Sequence, residues 1–249
     1  MPSRTRWAVA ALALPLLLGA CAANGTGATV TDSPTPTSDP VEVETPEPPP
    51  AWERLEVGDL SVQVPPEVGV ETLDDGSALL TVPASGLATD PLEVLRVEDG
   101  QATWLEDGTV TLAQGAAFGG VVAHPPTPGV RVTAQGTTVA LRADPAAVST
   151  DDVTLWVGGQ GAQSMTWGIR EGGRSLIVVP TDWARAAGAA GVEAVWAQMQ
   201  DDDEAATTTM YDQLLCHGLG APDKDSWNLE PWRPDVGLLA VLAAACNPS

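Results

Sequence analysis

The side chains best suited to chemistry crowd near the end of the sequence. Trp227, Asn228, Glu230, Trp232 and Arg233 fall within seven residues. Two indoles so close together can form a platform for a sugar or peptide, because flat rings contribute large contact area at little entropic cost. The same rings can instead fill the gap between helices and the rest of the molecule, which is their commoner use. Glu230 and Arg233 can hold a polar ligand. More often such a pair orders a loop, with the guanidinium forking to a carboxylate or to helix-end carbonyls.

Other candidates are sparser. The two histidines, His124 and His217, cannot build a His-rich zinc site, and neither HExxH nor a paired CxxC occurs. His124 precedes Pro125-Pro126 in a loop-like stretch, and His217 follows Cys216. The acidic run Asp201–Glu204 lacks the alternating ligand spacing and central glycine of an EF-hand loop, so it reads as a solvated helix end. No GxSxG, Ser-x-x-Lys or glycine-rich phosphate loop is present. The pattern thus points to no metal, no cofactor and no catalytic residue, and a non-catalytic protein is the leading expectation. One enzymatic alternative stays open. Two of the 33 acidic residues could meet across a cleft as a glycosidase-like carboxylate pair, and spacing does not say which.

The three cysteines are Cys21, Cys216 and Cys246. Ahead of Cys21 stand Arg4 and Arg6, an apolar run from Trp7 to Leu18, and the small residues Gly19 and Ala20. That run is too short for the ~20 residues a helix needs to span a bilayer core. A basic start, a short apolar stretch and small residues before a cut make a secretory signal. Leu18-Gly19-Ala20-Cys21 resembles the lipobox of bacterial lipoproteins, where a diacylglyceryl thioether forms on the cysteine and the chain is cut just before it. The resemblance implies that residues 1–20 are a lipoprotein signal peptide. It also implies that the mature chain is extracytoplasmic and anchored to the cell membrane by lipid on Cys21. Cys216 and Cys246 then remain as an even pair, which outside the cytoplasm reads as a disulfide. A reactive thiol at Cys216 beside His217 is the weaker reading, since adjacent helical residues point about 100° apart.

Removing residues 1–20 takes away two of eleven basic residues and none of the 33 acidic ones, which changes the net charge from −22 to −24. Such a surface repels nucleic acid and anionic headgroups and rules out DNA or RNA as partners. Residues 21–50 are rich in Thr, Ser, Pro and acids and end Pro46-Glu47-Pro48-Pro49-Pro50. Nothing there offsets the entropy of ordering, so the stretch is expected to be a disordered, extended tether.

The elements that must position the candidates begin at Trp52. Leu60, Val62 and Val64 alternate with Ser61 and Gln63 behind a Gly58-Asp59 turn. Asp99-Gly100 and Asp107-Gly108 separate the runs Leu92–Glu98, Gln101–Glu106 and Thr109–Ala113, which reads as an antiparallel meander. Further alternating runs cover Val130–Ala134, Val139–Leu141, Val153–Val157, Met165–Ile169 and Ser175–Val179. About ten short strands over residues 51–180 predict a sandwich or barrel with a core of Val, Leu, Ala and Trp.

After Pro180 the period becomes helical. Thr181 can cap a short helix that Gly188 and Gly191 would break. Val192, Val195, Trp196 and Met199 then share one helical face. Thr209 and Asp212 suggest the start of a helix through Cys216 that ends at Gly218 or Gly220. Pro234-Asp235 opens a last helix with Val236, Leu239 and Leu242 inward.

The stretch Met210–Cys216, then Trp227-Asn228-Leu229-Glu230-Pro231-Trp232-Arg233-Pro234, then Cys246-Asn247-Pro248 resembles the C-terminal domain of a family of uncharacterised exported actinobacterial proteins. That domain has no known function, so the resemblance implies a compartment and a pair of cysteines but no activity. The expected architecture is α+β. A β-rich antiparallel sandwich or barrel (51–180) precedes a small helical, disulfide-stapled region (181–249). The expected partners are the membrane, through Cys21, and a cell-wall polymer or envelope protein.

Overall fold

Alternating aliphatic and polar residues do produce a long series of short strands. The computed structural model describes residues 51–88, 91–146 and 150–249. The signal peptide, Cys21 and the tether lie outside the described residues. The strands are β1 (Glu53–Val57), β2 (Leu60–Val64), β3 (Gly69–Thr72), β4 (Ala78–Val82), β5 (Leu92–Val97), β6 (Gln101–Trp104) and β7 (Val110–Gln114). They continue with β8 (Ala117–Ala123), β9 (Val130–Gln135), β10 (Thr138–Ala143), β11 (Val153–Gly158), β12 (Ala162–Arg170) and β13 (Gly173–Pro180). Then come α1 (Asp182–Ala186), α2 (Gly188–Met199), α3 (Thr208–Gly220), β14 (Trp227–Leu229) and α4 (Leu238–Ala243). The fold is α+β, with antiparallel sheets and a few helices near the C-terminus.

The first sheet has the order β1-β2-β5-β10-β9 and the second β3-β4-β11-β8-β7-β6. Their inner faces share one core made only of Val, Leu and Ala, including Leu60, Val62, Val94, Leu112, Val139 and Leu155. No tryptophan joins it, although the sequence of the β-rich stretch suggests one: Trp156 and Trp167 pack instead against a second core that encloses Trp183 and Trp227. Small aliphatic side chains suit the narrow space between two sheets. The broad indoles fit where helices meet a sheet at a less regular distance.

The meander holds for β6 and β7 but not for β5 and β6. β6 pairs with β7, whereas β5 pairs with β2 and β10. Asp99-Gly100 therefore carries the chain from the first sheet to the second instead of closing a hairpin. Asp99 takes φ +46°, and a Cβ on Gly100 would come within 2.3 Å of the Ala113 carbonyl oxygen. The crossing needs glycine for that close approach.

The outer face of the second sheet carries the helices. Ala189 N–H donates to Asp107 Oδ2 (2.7 Å) and Ala190 N–H to Thr109 Oγ1 (3.3 Å), so the β6–β7 turn caps α2. The Trp183 indole N–H donates to the Trp156 carbonyl (3.2 Å). Its ring lies flat on Gly158, where any Cβ would sit 2.1 Å from the indole. A third sheet, β12-β13-β14, shares the core of the helices. The β12–β13 hairpin therefore belongs, by packing, with the C-terminal segment.

Thr181 caps α1 by accepting from Ala184 N–H (3.1 Å), as its position suggests. α1 ends at Ala186, and Gly188 stands at the break with φ +52° and opens α2. Gly191 breaks nothing: it lies inside α2, where α1 approaches so closely that a Cβ would meet the Ala184 carbonyl. Thr207, not Thr209, caps α3. α4 starts at Leu238, and its rotation differs from the expected one: Val241 is buried, while Leu239 is 84% exposed and Val236 and Leu242 face outward. The disulfide fixes this rotation by clustering Val241 with Cys216 and Cys246.

Candidate functional site

The residues singled out near the C-terminus do come together, around a buried carboxylate. β14 brings Trp227 and Leu229 into the helical core and places Glu230 just beyond, with no exposed side-chain surface. Glu230 Oε2 accepts from Arg233 Nε (2.9 Å), and Oε1 accepts from Ser175 Oγ (3.2 Å). Arg233 then donates to the Pro248 carbonyl (3.1 Å) and to Glu171 Oε2 (3.0 Å). The buried Gln213 side chain of α3 clamps the Glu230 backbone, accepting from its N–H and donating to its carbonyl, both at 2.9 Å. Four stretches of the chain thus converge: the β12–β13 turn running into β13, α3, the stretch after β14, and the last residues around Pro248. Cys216 and Cys246 are joined by a disulfide beside them.

The aromatic pair divides. Trp227 is enclosed, and its indole N–H donates to the Ala221 carbonyl (3.0 Å). Trp232 is 44% exposed, but its ring covers Gly173 and carries the Arg233 guanidinium 4.7 Å from its centroid. Asn228 is half-buried, and its carbonyl meets His217 Nε2 at 3.2 Å.

That contact fixes the His217 tautomer. A carbonyl only accepts, so Nε2 carries the proton and Nδ1 presents a bare lone pair. Nδ1 is buried and, among the described residues, has no partner. Burial pushes the imidazole below its ordinary value, with Lys224 and Arg170 adding to the effect and the Asn228 carbonyl and Glu230 opposing it. The unfolded chain therefore takes up a proton near pH ~6.5 that the folded chain still refuses. Stability is fully present above that pH and declines as pH falls towards the depressed folded value. Urea midpoints are expected to drop between pH 7.5 and 5.5, and His217→Gln is expected to flatten that slope. An unchanged slope would remove His217 as its source.

The remaining candidates are spent on structure. Asp202 Oδ2 accepts from the Trp167 indole (2.8 Å), which holds its carboxyl below the ordinary carboxylate range, and Glu204 pairs with Arg174 at 2.8 Å. His124 lies against the Trp156 ring at 5.4 Å. Among the described residues no three His, Cys, Asp or Glu side chains group to hold a metal ion, and no helix is long and apolar enough to cross a membrane.

A different place is open. Between β6 and β9, the edge strands of the two large sheets, a groove encloses about 640 Å³. Trp104, 49% exposed, stands at one side and the exposed Arg131 of β9 at the other, with Glu106 in the adjoining turn. Asp107 also lines the groove, but its carboxylate is committed to Thr109 and the start of α2. Spacing along the chain could not have paired Trp104 with Arg131, because they belong to different sheets. The only local signal was the alternation that turns Arg131 away from the core while Val132 is buried.

Residues 162–249 match the family described as "Protein of unknown function (DUF2599)". The chain is similar to "Uncharacterized protein Rv0477" of Mycobacterium tuberculosis, 43% identical over 83 residues that cover 30% of this chain and 56% of that protein. It is also similar to "Uncharacterized protein ML2452" of Mycobacterium leprae, 42% identical over 64 residues that cover 24% of this chain and 52% of that protein. The chain thus spans about half the length of the curated relatives it matches. The C-terminal segment is similar to uncharacterised actinobacterial proteins sharing a domain of unknown function. No solved structure matches.

Proposed function

We propose that the protein is a non-catalytic envelope lipoprotein, held to the outer side of the cell membrane by lipid on Cys21, whose body binds a cell-wall polymer or envelope protein. The observation that carries the binding role is the open groove between β6 and β9, with its half-exposed Trp104. The leader sequence and the Cys216–Cys246 disulfide support an oxidising, extracytoplasmic address. A hydrolase built on a carboxylate pair is the second reading. Two conspicuous acids weigh against it, since Glu230 is enclosed by Arg233 and Ser175, and Asp107 caps a helix.

Two measurements on the full chain test this reading. Wild-type protein is expected in the membrane fraction, and Cys21→Ala in the soluble extracytoplasmic fraction. Membrane retention of that variant would remove the anchor. Detergent-solubilised wild type is expected to sediment with purified insoluble wall polymer without releasing reducing ends. Steady release of reducing ends would replace the binding role with hydrolysis.

A further inference from the structure

We propose that the groove between β6 and β9 is a saccharide site selective for sugars bearing a carboxylate, with Trp104 stacking on a sugar ring and Arg131 forking to the acid group. This deepens the binding role above and rests on it.

The cation balance points to Arg131. The chain carries 33 acidic residues against eleven basic ones, so an arginine without a partner is unexpected. Arg54 and Arg96 pair with nearby glutamates, and Arg174 with Glu204. Arg185 holds three backbone carbonyls, and Arg233 holds the buried network. Arg170 lies 3.9 Å from both Glu171 and Glu230, and Arg142 has an interaction of its own. Among the described residues, Arg131 is the arginine left with no ion pair, hydrogen bond or ring contact. It also stands directly opposite Arg142 across the β9–β10 ladder.

The aromatic balance points to Trp104. Trp232 has one face on Gly173 and an arginine over its ring. Trp167 carries Arg174 and donates to Asp202. Trp104, by contrast, takes part in no ring contact or indole hydrogen bond among the described residues, and about half its surface is exposed. Exposing so large an apolar ring is unfavourable unless something covers it.

Three demands then meet in one groove, whose volume lies within the ~300–1,000 Å³ common for small-ligand sites. Trp104 calls for a flat apolar face. Arg131 calls for a planar anion that its fork can meet with two parallel hydrogen bonds. Glu106, whose carboxylate has no partner among the described residues, calls for hydroxyl donors. A dense polyanion would be repelled by the surrounding acids. A sugar with an occasional carboxylate meets all three demands: a C–H face for the indole, an acid for the guanidinium and hydroxyls for Glu106.

Calorimetric titration of the detergent-solubilised full chain tests the assignment with two probes. A β-1,4-linked tetrasaccharide with one glucuronate among three glucoses carries a single acid, and cellotetraose replaces that carboxylate by a hydroxymethyl group. Wild type is expected to bind the monoglucuronate tetrasaccharide about tenfold or more tightly than cellotetraose, as for a charge-assisted hydrogen bond made or lost. Arg131→Gln is expected to erase that preference while leaving cellotetraose binding unchanged. Trp104→Ala is expected to weaken both sugars about tenfold or more, and Arg54→Gln, outside the groove, to change neither. Near-ultraviolet circular dichroism checks that each variant keeps its packing. Equal binding of both sugars by wild type overturns the carboxylate assignment while the binding role stands. Binding of neither sugar, alongside continued sedimentation with wall polymer, overturns the saccharide site and leaves the binding role to another surface.

Discussion

Glu230→Ala is expected to cost about 3 kcal/mol of folding stability, because it takes the buried carboxylate from Arg233 Nε and leaves that guanidinium only the half-exposed Glu171 and the Pro248 carbonyl. The loss should far exceed that of an exposed pair such as Arg54–Glu56, where solvent screens the attraction. Removing both partners, as Glu230→Ala with Arg233→Ala, should cost less than the two single losses added together. The excess buried charge is then gone, and a double-mutant cycle in urea reads the difference as coupling. Glu230→Gln keeps an acceptor for Arg233 and a partner for Ser175, and should fall between wild type and alanine. A loss below about 1 kcal/mol for Glu230→Ala would show that the pair is dispensable and that the Gln213 clamp carries the junction.

Reduction of the Cys216–Cys246 bond, or its removal by Cys216→Ser with Cys246→Ser, is expected to cost about 3–4 kcal/mol in the chain-entropy model for a loop of this length. In a unit of this size that corresponds to a fall in Tm of about 10 °C. The effect should be local before it is global. α4 has one buried apolar side chain, Val241, and its small cluster is completed by the two cysteines. Amide exchange in α4 and the tail should therefore accelerate in the reduced protein while the Val/Leu core of the two sheets stays protected. Uniform loss of protection would instead make the bond part of the global folding unit.

The strands were legible wherever one face is buried and the other wet. β11 follows alternation closely, with Val153, Leu155 and Val157 inward. Two kinds of information were not legible. The first is which sheet a strand joins. Asp99-Gly100 and Asp107-Gly108 look alike in sequence, yet one crosses between sheets and the other turns a hairpin, because the difference lies in what Gly100 passes. The second is helix rotation over short lengths. α4 is too short for periodicity to outweigh a covalent link, so Leu239 faces water although its type suggested burial. At the C-terminal cluster, sequence proximity named Trp227, Glu230 and Arg233, but their partners Ser175, Gln213 and the Pro248 carbonyl arrive from elsewhere in the chain. The groove was invisible for the same reason, since Trp104 and Arg131 meet only once two sheets have formed.

The seat of α2 on the second sheet has a consequence for how portable the C-terminal segment is. The stretch similar to the family of unknown function begins at residue 162. Yet the N–H groups that open α2 are satisfied by Asp107 and Thr109, and the helical core is completed by Phe118, Val122 and Trp156. The boundary of similarity therefore cuts through a single hydrophobic interface. Residues 162–249 cut away from the preceding strands would leave that apolar floor bare and the start of α2 without two of its acceptors.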